Sequence, residues 1–212
     1  MRLSMHNPKI YRRMKRRPLA QTALMEKTAR TKIIASEKLR RALACALLFF
    51  LFSFLGWCWE KLYFFVVYQM NADRGFLTLP FCTVYGFALI LIRLTLGLPR
   101  LDEKYPKSLL HFLGYCVAAS LIATFVELST GLFFEQVFGV RLWTYQDFAH
   151  SYQDYICLSV SVAWGAMIGI FMAGVWAPLE KRFAAMPAPV LTWGSGLLTL
   201  AITLDFFLSA FL

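Results

Sequence analysis

The chain has 212 residues, 59% of them hydrophobic and 20 of them phenylalanine, with a formal net charge of +10. Soluble domains average about 45–50% apolar residues, so this excess, gathered into long runs, excludes an ordinary water-soluble domain and points to an integral membrane protein. The charge is uneven: residues 1–41 hold 13 Lys/Arg against Glu26 and Glu37, and the rest of the chain holds 9 Lys/Arg against 10 acids. A basic tail thus precedes a near-neutral bundle. Because the tail leads straight into an apolar run, its expected partner is the membrane surface and not nucleic acid.

Residues 1–41 are expected to form a cytoplasmic tail and residues 42–212 a transmembrane bundle. The tail opens with a cluster between Pro8 and Pro18: Lys9, Arg12, Arg13, Lys15, Arg16 and Arg17. This basic region is too long for a signal peptide. Near anionic lipid it gains roughly 1 kcal/mol per close Lys/Arg. Five apolar runs come after it, at about 43–68, 81–98, 108–134, 155–177 and 190–212. Each has about the 17–25 residues that cross a bilayer as a helix. The second is the shortest and is expected to begin as irregular backbone at Thr78–Pro80. The expected fold is an all-α integral membrane protein, a five-helix transmembrane bundle.

The loop Arg100–Lys107 and the break at Lys181–Arg182 carry the remaining clustered cations, while the alternate loops hold only Arg74 and Arg141. The positive-inside rule therefore places the N-terminus in the cytoplasm and the C-terminus outside the cytoplasmic membrane. In that orientation Glu60 lies about 17 residues into the first span, roughly 25 Å from the inner boundary. Glu127 and Asp205 lie at similar depth in the third and fifth. Ionisable residues at membrane depth mark functional or partner sites. Glu60 and Glu127 are expected to face the bundle interior and to meet Arg74, Arg141 or both.

Glu60 precedes Arg74 by 14 residues, as Glu127 precedes Arg141, and Ser53 and Ser120 keep the same offset of 67. This spacing suggests two repeated helical hairpins and then one C-terminal helix. Ser53, Gly56 and Glu60 share one helical face, as do Ser120, Thr124, Glu127 and Gly131. Trp57, Trp143 and Tyr145 fall at the same outer level, where an interfacial aromatic belt and an aromatic-lined ligand site would use the same residues. The five cysteines and three histidines show no metal-ligand spacing, so no metal and no cofactor is expected.

Gly56-Trp57 with Glu60, then Arg74-Gly75, Pro80 and Tyr85-Gly86, resemble the signature of the type IV ABC-transporter (CmpB-like) permease family of small bacterial multi-span proteins. Glu127-Leu128, Thr130-Gly131, Leu142-Trp143 with Tyr145, Ile156-Cys157-Leu158 and Trp164-Gly165 keep that family's order. The resemblance covers about residues 45–210 and adds Tyr85 to the candidates. It departs at Leu79, where the family favours glycine before Pro80, at Thr144, where it favours an acid, and at Gln153-Asp154, where it favours Asn-Gly.

The resemblance implies a membrane subunit of a transporter, either a permease or a substrate-capturing component. No P-loop pattern occurs, so an ATPase would be a separate chain. One alternative is a structural or regulatory bundle whose buried ion pairs only hold the fold. Another is an intramembrane enzyme acting on lipid-like substrates, for which no nucleophile or other catalytic motif is visible. Substrate-binding or ion-pair candidates are Glu60, Arg74, Glu127, Arg141, Asp205, Trp57, Tyr85, Trp143 and Tyr145; catalytic residues, none.

Overall fold

The structure, a computed structural model, describes the backbone of residues 8–70, 75–101 and 104–211 and the side chains from Ser36 onward within those ranges. Arg74 and the basic cluster between Pro8 and Pro18 therefore lie outside the residues whose side chains are described. The chain divides into two compact units, Met1–Ala42 and Leu43–Leu212. The second unit is the helical bundle.

Among the described residues there are five helices: α1 (Pro8–Tyr68), α2 (Thr83–Thr95), α3 (Lys107–Phe138), α4 (Leu158–Ala184) and α5 (Ala188–Phe211). Four are long and apolar enough to cross a membrane, including the Ser36–Tyr68 part of α1. The fifth, α2, has 13 residues, about 20 Å, against a hydrocarbon core of about 30 Å. The protein is an all-α, multi-pass membrane protein. Large apolar side chains such as Leu110, Leu121, Phe125 and Ile170 stand on the outside of the bundle, as a lipid solvent allows.

Two helices run past their expected ends. α3 continues to Phe138, where Gly139 closes it in a left-handed conformation (φ 67) and returns its N–H to the Glu135 carbonyl. An αL residue at this place costs glycine nothing. α4 continues through Pro178, although proline has no N–H to offer the carbonyl of Gly174. The helix absorbs this as a π turn at Met172–Trp176, the usual way of carrying an extra residue without breaking the ladder.

The shortness of α2 is made up by the non-helical segment 75–82 ahead of it. Irregular backbone is tolerated at membrane depth only where the protein satisfies its polar groups. Here the Cys82 N–H donates to the Ser53 carbonyl (2.9 Å), and the Leu79 N–H donates to Asp205 Oδ2 (3.0 Å). Phe76 anchors the segment in a cluster with Phe134, Phe138 and Phe206.

The core lies where the helices converge. Leu48, Phe52, Ile92, Ala119, Ile168, Met172 and Trp176 form one buried cluster, with Phe52 stacked on Trp176 at 5.5 Å. Within it the α1–α2 and α3–α4 hairpins use the same contact. Gly86 lets α2 approach α1 until a Cβ there would lie 2.7 Å from the Phe49 carbonyl and against the Ser53 hydroxyl. Gly165 does the same to α3, with the Cys116 carbonyl and the Ser120 Cβ each at 2.7 Å. Phe49 and Ser53 precede Cys116 and Ser120 by 67 residues, and Gly86 precedes Gly165 by 79. Cys82 and Ser161, one turn earlier, also correspond: Cys82 N–H meets the Ser53 carbonyl, and the Ser120 hydroxyl meets the Ser161 carbonyl at 2.7 Å. Tyr85 and Trp164, equivalent in the two hairpins, touch each other edge to face at 5.5 Å.

The second hairpin differs in its longer connection. That connection carries a two-stranded antiparallel sheet, β1 (Ser151–Tyr152) and β2 (Ile156–Cys157). Between the strands Gln153 (φ 50) and Asp154 (φ 59) are both left-handed.

Candidate functional site

Glu60 sits two turns beyond Ser53 on α1. Its Oε1 accepts hydrogen bonds from the Tyr85 hydroxyl (3.1 Å) and the Cys82 thiol (3.5 Å). Both donors come from the start of α2, so the segment 75–82 is what brings them to Glu60. Gly56, one turn earlier, leaves room for the Tyr85 ring; a Cβ there would collide with it. The phenol is thereby aimed along α1 at the carboxylate.

Glu127 occupies the equivalent place on α3. The residue matching Tyr85 is Trp164, whose indole has no hydroxyl to give. The donor comes instead from the longer connection: the Tyr145 hydroxyl gives Glu127 Oε1 a hydrogen bond of 2.8 Å. The connection is tied down for this. Tyr145 N–H donates to the Asp154 carbonyl (2.8 Å), and Trp143 Nε1–H donates to the Tyr155 carbonyl (2.9 Å). Tyr155 is buried, with Gly131 against its ring edge. Burial first, and then the Glu127 carboxylate, push the Tyr145 phenol well above its usual range, and Glu60 adds to the shift. The phenol therefore stays protonated and acts as a donor, with both carboxylates in its neighbourhood.

The structure thus brings together Glu60, Tyr85, Glu127 and Tyr145. It does not bring Arg141 to them. Arg141 pairs with Glu135 at 3.0 Å and with Asp154 at 3.5 Å, and its guanidinium lies 4.8 Å from the Tyr155 ring centroid. All three charged side chains are about two-fifths exposed, so the group braces the connection at the surface. Asp205 is buried and holds the segment 75–82 through the Thr78 hydroxyl and the Leu79 N–H. Trp57 stacks with Phe54, and the Lys61 ammonium lies 5.5 Å from its ring. Trp143 serves the loop through its indole N–H.

A second polar group lies outside the sequence candidates. Arg93 Nε and Nη2 donate to Glu180 Oε2 and Oε1 at 3.0 and 3.2 Å, and Trp176 Nε1 donates to the same carboxylate at 2.8 Å. Arg93 is the one charge in the apolar run FALILIRLTLGL. That is the same signal that marks Glu60, and it could have found Arg93 too.

The cluster is acceptor-rich and has two phenolic donors. It suits binding a group that carries hydrogen-bond donors. Among the described residues no set of His, Cys, Asp and Glu is arranged to hold a metal. The Tyr155 hydroxyl is buried with no hydrogen-bond partner among the described residues. Two shallow apolar depressions, of about 290 and 380 Å³, lie at the other end of α3, around Leu109.

No curated protein and no solved structure matches the chain. A family model does, over residues 47–210, and it spans α2 to α4 whole together with most of the α5 helix and the cluster-bearing last third of α1. The chain therefore belongs to the family described as Putative ABC-transporter type IV.

Proposed function

We propose that this chain is the membrane subunit of a transporter, a permease or cargo-capturing component, and that Glu60 and Glu127 with Tyr85 and Tyr145 meet the cargo. The observation that carries this reading is the pairing of the two carboxylates. They stand at equivalent places in two repeated hairpins, and each is held by a phenol. A carboxylate kept only to brace the fold would be matched by a cation or by backbone donors, as Asp205 is by the Leu79 N–H. Family membership supports the transporter class. The chain carries no P-loop pattern, so an ATPase would act as a separate chain, with the loop around Lys104 and the end of α4 as its docking surface. The basic tail would rest on anionic lipid at the cytoplasmic membrane, with the N-terminus inside and the C-terminus outside. The cluster then lies in the outer half of the bilayer, and opening of the connection 139–157 would expose it as a polar pocket.

The test uses protein purified from its host in mild detergent, with bound small molecules and chains identified by mass spectrometry. Glu60→Gln and Glu127→Gln should lose the co-purifying ligand while unfolding at nearly the parent temperature. Loss of thermal stability with no change in bound ligand would favour the alternative, a structural or regulatory bundle. That alternative draws support from Asp205, which holds the segment 75–82 as a brace. Conversion of a bound lipid on incubation would favour an enzyme.

A further inference from the structure

We infer that Arg93, Glu180 and Trp176 form an inner latch that holds the two hairpins together below the carboxylate cluster and opens as a unit. The inference rests on the transporter reading for its purpose, so its test reads the opening and not transport. Arg93 is in the last turn of α2, in the first hairpin, and Glu180 is near the end of α4, in the second. The two-pronged ion pair at 3.0 and 3.2 Å is therefore a tie between hairpins. Its depth comes from the Ser53–Gly86 contact. Glu60 lies seven residues outward of that level on α1 and Arg93 seven residues inward on α2, which puts them roughly 20 Å apart along the bundle. Between them stands the apolar layer of Leu48, Phe52, Ile92, Ile168 and Met172. The bundle thus reads, from outside inward, as a polar cluster, an apolar layer and a charged tie.

A charged tie behaves differently from an apolar one. Taken out of water, the pair holds only while both partners and the Trp176 indole are in place, since an unpaired charge there is strongly disfavoured. Once water enters from the cytoplasmic side, both charges regain their hydration and the tie dissolves with little change in free energy. Apolar side chains at the same place would favour the closed state alone. The Glu180 and Arg93 side chains are 16% and 29% exposed, so the tie is not sealed inside the bundle. The π turn at Met172–Trp176 lies directly before it and sets the rotation that turns Trp176 and Glu180 toward Arg93. Gly174, within that turn, has open space where a side chain would be.

Cys45 on α1 lies within electrostatic reach of both charges and is half-buried, which makes it a native reporter. The experiment uses the full chain in membrane vesicles with Cys58, Cys82, Cys116 and Cys157 changed to serine. A charged, membrane-impermeant thiol reagent is added on the side that carries the N-terminus. With the latch intact, Cys45 should react slowly. Glu180→Gln and Arg93→Met should raise the rate by about tenfold, the change expected when a minor open state becomes a major one. Arg93→Lys, which loses the two-pronged geometry, should fall between. The exchange Arg93→Glu with Glu180→Arg should slow the reaction again only in part, because an arginine cannot accept from the Trp176 indole, and it tests the latch even where a single variant does not fold. Equal rates in parent and Glu180→Gln protein, or a charge exchange as fast as Arg93→Met alone, would overturn the inference.

Discussion

A carboxylate at membrane depth requires donors, and Glu127 takes its donor from a residue 18 positions further along the chain. Removing that phenol leaves the acceptor buried and unsatisfied, at a cost of about 1–3 kcal/mol. Tyr145→Phe should therefore lower the unfolding temperature of the detergent-purified protein. Glu127→Gln, which keeps an acceptor in place, should shift it much less. In the double variant Tyr145→Phe with Glu127→Leu, the two losses should not add, and a coupling of about 0.5–3 kcal/mol is expected for a pair in direct contact. Strict additivity would show that the contact contributes nothing. At this scale the sequence was half legible. Glu60 and Glu127 stand out because a charge interrupts an apolar run. Their phenol partners do not, since Tyr145 reads equally well as an interfacial aromatic. Arginine was the expected partner of Glu127 because charge suggests countercharge, but the 139–157 connection spends Arg141 on Glu135 and Asp154 at the surface.

Among the elements, the segment 75–82 and the connection 139–157 carry most of what a helical reading leaves out. Asp205 holds the first of these. Asp205→Ala would free the Leu79 N–H and the Thr78 hydroxyl inside the bundle. Amide exchange in the segment should then quicken by about tenfold for every 1.4 kcal/mol of local stability lost. An unchanged exchange pattern would mean that Phe76 and its aromatic neighbours suffice. In the connection, Gln153 and Asp154 adopt left-handed backbone that asparagine and glycine adopt far more readily. Gln153→Asn with Asp154→Gly should raise the unfolding temperature, even though it removes the Asp154–Arg141 pair, because an exposed pair of that kind contributes only about 0–1 kcal/mol. The departure from the family's Asn-Gly was visible in the sequence. Its meaning, a strained turn between two short strands, was not, because strands of two residues leave no periodicity to read. The π turn was hidden in the same way: Pro178 marks a disturbance in a helix, but only packing decides whether the helix stops or bulges.

For the molecule as a whole, the repeated contact of Gly86 on α1 and Gly165 on α3 makes a matched pair of predictions. Alanine at either position would bring its Cβ to 2.7 Å from a main-chain carbonyl, and overpacking of this kind costs about 1–3 kcal/mol. Gly114→Ala, where nothing stands within 4 Å, should instead gain up to about 1 kcal/mol from helix propensity alone. The spacing of 67 already hinted at the repeat. What the sequence could not reveal is that the 12 extra residues of the second hairpin bring in Tyr145, which supplies the phenol that Trp164 lacks.

The repeat also bears on how the chain lies in the membrane, because two hairpins of the same course enter and leave on the same side, and the single helix after them must end on the other. This holds only if α2 crosses. Its 13 residues cover about 20 Å. The crossing would be completed by the segment 75–82, whose backbone is satisfied by Ser53 and Asp205 instead of by a helix. A topology reporter fused after Lys104, between α2 and α3, reads this directly. It should be active in the cytoplasm, on the same side as the basic tail, since by the positive-inside rule Arg100, Lys104 and Lys107 would hold that loop inside. A reporter after Leu212 should be active outside. If the Lys104 fusion were instead active outside, α2 would be a hairpin that returns to the side it came from. The two repeats would then face opposite ways, and the pairing of Glu60 with Glu127 at one depth would fall with them.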